Sequence, residues 1–240
     1  MSAKCCGLIY LFESFRYTYC MKKAFTLLEL VFVIIVIGVI VATILPRTKS
    51  NSLQEAAIQL QSHIRYVQHL AMMDDKYDAN DLNWFKTRWQ IIFNKQLNSD
   101  EKWAYTIFSD TSGVRSGRPN KDEIAINPLN PKQRMTGGYN SANELDINDP
   151  EFIGMKKLNL GRSYGVTDML FSCSQRVAFD HLGRPIKSDL SSNTVAYDSN
   201  DLITNDCNIT LINGTEQEII QIASETGFTC ILNQDTGKCR

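Results

Sequence analysis

The sequence predicts an α+β fold: a long N-terminal α-helix, transmembrane in its first half and amphipathic in its second, packed on an antiparallel β-sheet head. Three observations predict it. Phe25 to Leu45 is an apolar run holding one acid, Glu29. Apolar residues then recur at three- and four-residue steps from Leu53 to Ala71. Beyond Asp74-Asp75 the chain breaks into short aromatic and β-branched segments separated by turn residues.

The first helix follows from length and charge. A bilayer core takes about 20 apolar residues in helix, and residues 25–45 supply that. A carboxylate at that depth costs roughly 2.5–3.5 kcal/mol at the bilayer centre and less near its edge, so Glu29 needs a partner. Lys22 and Lys23 precede the run, and the bias of positive charge keeps that end cytoplasmic and sends the rest outward. Arg47 and Lys49 weaken the bias without reversing it.

The second helix covers residues 46–73. Leu53, Ala56, Ala57, Leu60, Ile64, Val67 and Ala71 make one stripe, with Gln54, Glu55, Gln61, Arg65 and Gln68 mostly off it. The two halves read as one helix from about Phe25 to about Met73, bent at Pro46.

The head covers residues 74–240. Arg88–Phe93 and Trp103–Phe108 read as a hairpin turned at Asn98-Ser99-Asp100. From about Asp110 to Gly161 the chain is polar and rich in Gly, Asn and Pro, which predicts a long loop with one or two short elements, of a length often tied to function or mobility. Gln175–Phe179 is a strand. Asn208–Ile212, Glu218–Ile222 and Phe228–Leu232 form a meander turned at Asn213-Gly214 and Thr226-Gly227.

The chain has 240 residues and a formal net charge of −1. Residues 1–24 are expected to be a leader, with Met21 as the biological start or, in the alternative, a long leader from Met1. Without Lys4, Arg16, Lys22, Lys23 and Glu13, the totals of 25 basic and 26 acidic side chains fall to 21 and 25, a net charge of about −4. That balance does not recommend nucleic acid as a partner. Three of seven cysteines lie in the leader. Cys173, Cys207, Cys230 and Cys239 remain, an even set suited to two disulfides in an oxidising compartment. Of three pairings, Cys230–Cys239 with Cys173–Cys207 is the one expected. A zinc site is the rival, but no C-x-x-C pair occurs and no histidine lies near Cys207, Cys230 or Cys239.

The stretch Lys22-Lys23-Ala24-Phe25-Thr26-Leu27-Leu28-Glu29-Leu30, followed by the apolar run and Pro46, resembles the class III signal of type IV prepilins and pseudopilins. The family more often has Gly where this chain has Ala24. The resemblance implies cleavage between Ala24 and Phe25 by prepilin peptidase, N-methylation of Phe25, and an assembly role for Glu29. It implies as partners other pilins or pseudopilins through the N-terminal helix, the inner membrane, and a secretion or pilus assembly machine. The head would be periplasmic. Phe179-Asp180-His181-Leu182-Gly183-Arg184-Pro185, with the meander after it, is similar to the GspH/FimT-like pseudopilins, though residues 110–161 are longer than that family leads one to expect.

The resemblance implies a minor subunit of a type II secretion pseudopilus or type IV pilus-like filament, at its tip or in initiation. The alternative is a competence-pilus minor pilin that contributes to DNA binding and uptake. Some FimT-like members bind DNA through a basic C-terminal tail; here that tail offers only Lys238 and Arg240. An enzyme is disfavoured: no Gly-x-Ser-x-Gly or phosphate loop occurs, and the only histidines are His63, His69 and His181. No cofactor is expected. Glu144, Asp146, Asn148, Asp149 and Glu151 place oxygens at alternate positions that would suit Ca²⁺, but the EF-hand glycine and distal Glu are missing, and a solvated loop is the expected reading. Asn208-Ile209-Thr210 and Asn213-Gly214-Thr215 are sequons that read first as plain strand and turn residues.

Overall fold

A computed structural model describes residues 26–44, 51–187 and 189–240. The chain divides into two units, residues 1–49 and Ser50–Arg240. In the first, helix α1 (Leu27–Ile44) runs for 18 residues, with Glu29 in its first turn. Its described side chains through Ile40 are exposed, Leu27 at 81% and Leu28 at 79%. Among the described residues no helix is long and apolar enough to cross a membrane. The ends of the expected span, Phe25 and Leu45, lie outside the described residues, as does the expected kink at Pro46.

The second unit opens with α2 (Ser52–Met73). One continuous helix was expected here; instead α2 has its own start. Asn51 leaves the helical conformation at φ −73°, ψ 88°, and its side chain accepts from the Gln54 N–H at 3.2 Å. That is an N-cap, which satisfies one of the free amides of a first turn. The seven stripe residues named from the sequence are all buried.

Two four-stranded antiparallel sheets share α2. The first has the order β2-β1-β6-β7, from β1 (Trp89–Asn94), β2 (Ala104–Ser109), β6 (Arg176–Phe179) and β7 (Pro185–Lys187). Its hairpin pairs Ile91 with Ile107. The second has the order β10-β9-β8-β5, from β5 (Asp168–Phe171), β8 (Cys207–Asn213), β9 (Glu216–Ile222) and β10 (Thr229–Leu232). The alternation in β8 and β9 puts Ile209, Leu211, Ile220 and Ile222 inside. Strands β5 and β7 were not read from the sequence. Both are short, and β5 carries Asp168 at its start.

Residues 110–161 differ most from expectation. This segment is packed against the sheet. A hairpin of β3 (Ile126–Asn127) and β4 (Asn130–Arg134) sits within it. Ala125 donates to Ile107 O at 2.9 Å, Ile107 to Met135 O at 3.0 Å, and Gly137 to Tyr105 O at 3.1 Å. The segment therefore lines the edge of β2, and every residue of β2 is buried. Ile124, Met135, Leu145, Leu158 and Leu160 join the core. Two buried carboxylates fix its start. Asp110 accepts from the Gly117 N–H at 2.6 Å, and Glu123 accepts from the Ser112 and Asn120 N–H groups at 2.5 and 2.8 Å. Helix α3 (Leu160–Tyr164) ends it at Gly165.

Candidate functional site

Ala24 and Phe25, the expected cleavage site, lie outside the described residues, which begin at Thr26. There Thr26 Oγ1 accepts from the Glu29 N–H at 3.3 Å, and Leu30 donates to Thr26 O at 3.2 Å. Thr-x-x-Glu is the sequence form of a capping box, whose threonine half is made. Glu29 thus stands at the third helical position, exposed, where a negative charge is favoured by the helix dipole. No other charged residue follows it to Ile44, and the described side chains through Ile40 are exposed.

The four remaining cysteines form two disulfides. Cys173 pairs with Cys207 and Cys230 with Cys239, at Cα separations of 5.4 and 5.5 Å. No thiolate is left among them for zinc. The first bond pins the link between β5 and β6 to the start of β8. The second ties the C-terminus to β10.

The basic tail is not free. Arg240 Nη2 lies 2.5 Å from Glu218 Oε2 on β9. Lys238 is exposed. One of the two candidate phosphate contacts is therefore occupied by a carboxylate of the same chain.

The acidic group in the long segment is spread over separate contacts. Glu144 meets Lys121 Nζ at 3.0 Å. Asp146 accepts from the Asn148 N–H at 2.9 Å and Asp149 from the Glu151 N–H at 2.7 Å, while Asn148 Oδ1 accepts from Arg162 Nη1 at 2.9 Å. Among the described residues no three His, Cys, Asp or Glu side chains gather as a metal would need.

Asp180 and His181 do not converge. Asp180 is buried, and its carboxylate accepts from the Leu182 and Arg184 N–H groups at 3.0 and 2.9 Å and from Arg184 Nε at 2.7 Å. His181 is exposed. The Asp-His-Leu-Gly-Arg stretch is a turn built around its own aspartate. Gly183 sits there at φ +81°, and a Cβ on it would come within 2.9 Å of Gln68 Nε2. Gln68 donates to Gly183 O and to Thr226 O, both at 2.9 Å, so the two turns are tied to α2 by one side chain. An open hollow of about 420 Å³ lies between Gln133, Phe152, Met155, Lys156 and Lys157, with neither a carboxylate nor an imidazole in its lining.

The sequons differ in setting. Asn208 lies within β8 and accepts from Gln221 Nε2 at 3.3 Å. Asn213 closes β8 at the Gly214 turn.

Two polar groupings escaped the sequence. His63 Nδ1, on α2, is hydrogen-bonded to the Tyr105 hydroxyl at 2.6 Å, while Gln59 Nε2 donates to the same hydroxyl at 3.0 Å and Tyr164 donates to Gln59 Oε1 at 2.7 Å. Burial lowers the His63 imidazole to about 4 and raises the Tyr105 phenol. The second is Arg88, buried between the Trp84 and Tyr197 rings at 4.9 and 4.5 Å, with Nη1 on Ala196 O at 2.6 Å. Its burial depresses the guanidinium's affinity for its proton. Neither grouping was legible as a whole, since Tyr105 lies far along the chain from His63, and Tyr197 from Arg88.

No family model, curated protein or solved structure matches the chain.

Proposed function

We propose that the chain is a minor pilin-like subunit, processed by a prepilin peptidase and assembled through its N-terminal helix into a type II secretion pseudopilus or a type IV pilus-like filament. The observation that carries the reading is the passage from Lys22 to Leu30 into an apolar helix whose one charge is Glu29. The form of the head supports it: an amphipathic helix laid on antiparallel sheets, with two disulfides suited to the periplasm.

The precursor sits in the inner membrane as a single span, N-terminus inside. The 18 residues of α1 reach about 27 Å at 1.5 Å each. The expected span, residues 25–45 of the sequence, has the roughly 20 residues that a bilayer core takes in helix. Cleavage after Ala24 creates an ammonium on Phe25. Glu29 of one subunit neutralises that ammonium on a staggered neighbour. Opposite charges about 4 Å apart attract by roughly 4 kcal/mol at an effective dielectric of 20, and an unpaired carboxylate among packed apolar helices is costly. The pair therefore sets register while the apolar surface supplies adhesion. An uncut chain has no amine at Phe25 and stays in the membrane.

Mass spectrometry of the protein purified from its native membrane tests the first step. A mature chain beginning at methylated Phe25 is expected. For the second, Glu29→Ala should be processed normally yet fail to enter filaments in a sheared-filament assay. An intact leader in the mature protein, or undiminished incorporation of the variant, refutes the reading.

A further inference from the structure

The C-terminal eight residues, 233–240, double back along the free edge of β10. Asn233 donates to Lys238 O at 2.8 Å and Arg240 donates to Ile231 O at 2.9 Å, which pairs Leu232 with Cys239 as an antiparallel bridge. Asn233 Oδ1 accepts from the Asp235 and Thr236 N–H groups at 2.9 and 3.1 Å and shapes the turn. Arg240 meets Glu218, and the Gln234 amide donates to Gln217 O.

What holds this segment is unusual for a sheet edge. Every residue from Gln234 to Arg240 is exposed, and none is aliphatic or aromatic. Apolar burial therefore contributes nothing beyond Cys239 itself. Ordering eight residues is opposed at each by conformational entropy. A few surface hydrogen bonds return little net free energy, and an ion pair with its arginine 40% exposed returns little more. The remaining tie is the bond from Cys239 to Cys230, which is anchored in the core at 2% exposure.

We propose that residues 233–240 are a disulfide-locked strap: they cover the β10 edge while Cys230–Cys239 is intact, and a dithiol reductant releases them. A thiolate of the reductant attacks Sγ of Cys239, the exposed partner. The S–S bond breaks, and Cys230 leaves as a thiolate that takes up a proton. The reductant's second thiol then displaces Cys239 from the mixed disulfide, so two electrons pass to the cysteines and the reductant closes its own disulfide. Release bares the Ile231 carbonyl and the Asn233 N–H, a short edge able to accept an added strand. It also removes the cation from Glu218, whose side chain is 9% exposed. The inference does not depend on the pilin reading.

The test is trypsin cleavage after Lys238 in the purified full chain, followed by mass spectrometry. Cys239→Ala leaves Cys173–Cys207 in place and is compared with the oxidised parent. A closed loop of this length contributes on the order of a hundredfold to the local closing equilibrium, so cleavage should be about a hundredfold faster in the variant. Arg240→Met with the disulfide intact should be cut at the parent's rate. Amide exchange should show lost protection at Asn233 and Arg240 in Cys239→Ala, with protection kept in β8 and β9. Cleavage of Cys239→Ala no faster than the parent overturns the proposal. So does a rise in Arg240→Met equal to that in Cys239→Ala, because the ion pair would then be the lock.

Discussion

His63 shows how one side chain can couple the stability of the head to pH. Its Nδ1 lies 2.6 Å from the Tyr105 hydroxyl across the contact between α2 and β2, where burial favours the neutral ring. Burial holds the imidazole at about 4, against the ordinary 6.5. As pH falls from neutrality, the unfolded chain protonates this residue first. The stability from the neutral ring is complete above about 6.5, is lost progressively between 6.5 and 4, and falls no further below that. The difference amounts to roughly 3 kcal/mol. Urea midpoints of the parent should therefore decline through this window. His63→Asn, which keeps an acceptor without a titrating proton, should flatten the decline. A parent profile that stays level from pH 6.5 to 4 would show that the ring is not held neutral.

At the same scale, Gly183 and Gly227 explain a motif that the sequence offered only as a likeness. Both have positive φ, and a Cβ on Gly227 would collide with the Gly183 carbonyl. Two turns from distant parts of the chain meet there beneath Gln68. The glycines were visible in the sequence as turn signals, but their closeness to each other was not.

Among the elements, α2 was the most legible. A stripe at three- and four-residue steps can bury only one face, and all seven predicted residues face the core. Its start was not legible, because the apolar period seemed to run through from α1. Asn51 decides that point. Removing its side chain by Asn51→Ala should cost about 1 kcal/mol, read as a lower urea midpoint at unchanged slope. No change in midpoint would mean that the cap contributes nothing. β8, β9 and β10 were also foreseen, since alternation and Asn-Gly or Thr-Gly turns are local signals. β5 and β7 are short, at four and three residues, and were missed.

The 110–161 segment carries the short elements expected of it, as the β3–β4 hairpin, but its packing against β2 was not foreseen. Its polarity pointed to a long loop. Much of that polarity is satisfied internally: Thr136 meets Thr106 at 2.7 Å between two buried hydroxyls, and Asp110 and Glu123 take backbone amides. Buried polar groups with partners look the same in sequence as exposed ones without them.

For the whole molecule, the crossing from the second sheet back to the first is tied by a disulfide. Cys173–Cys207 closes a span of 34 residues there. Its loss by the double change Cys173→Ala and Cys207→Ala should cost about 3–4 kcal/mol, measured as a lower melting temperature with the β content retained. An unshifted melting temperature would place the strength of this crossing in the packing of Phe171 against Phe93 and Trp103 instead.

The sequence by itself determined the α+β class, the register of α2's buried face, the meander, and the arrangement of lysines, Phe25 and Glu29 on which the proposed function rests. Each is a local pattern, set by helical or strand period or by adjacent residues. The tertiary structure alone decided that eight of the strands divide into two four-stranded sheets, that the long polar segment lines β2, and that Arg240 is held by Glu218. Those outcomes depend on which distant groups meet. Close packing and the pairing of buried polar atoms select such meetings among many that the same residues would allow.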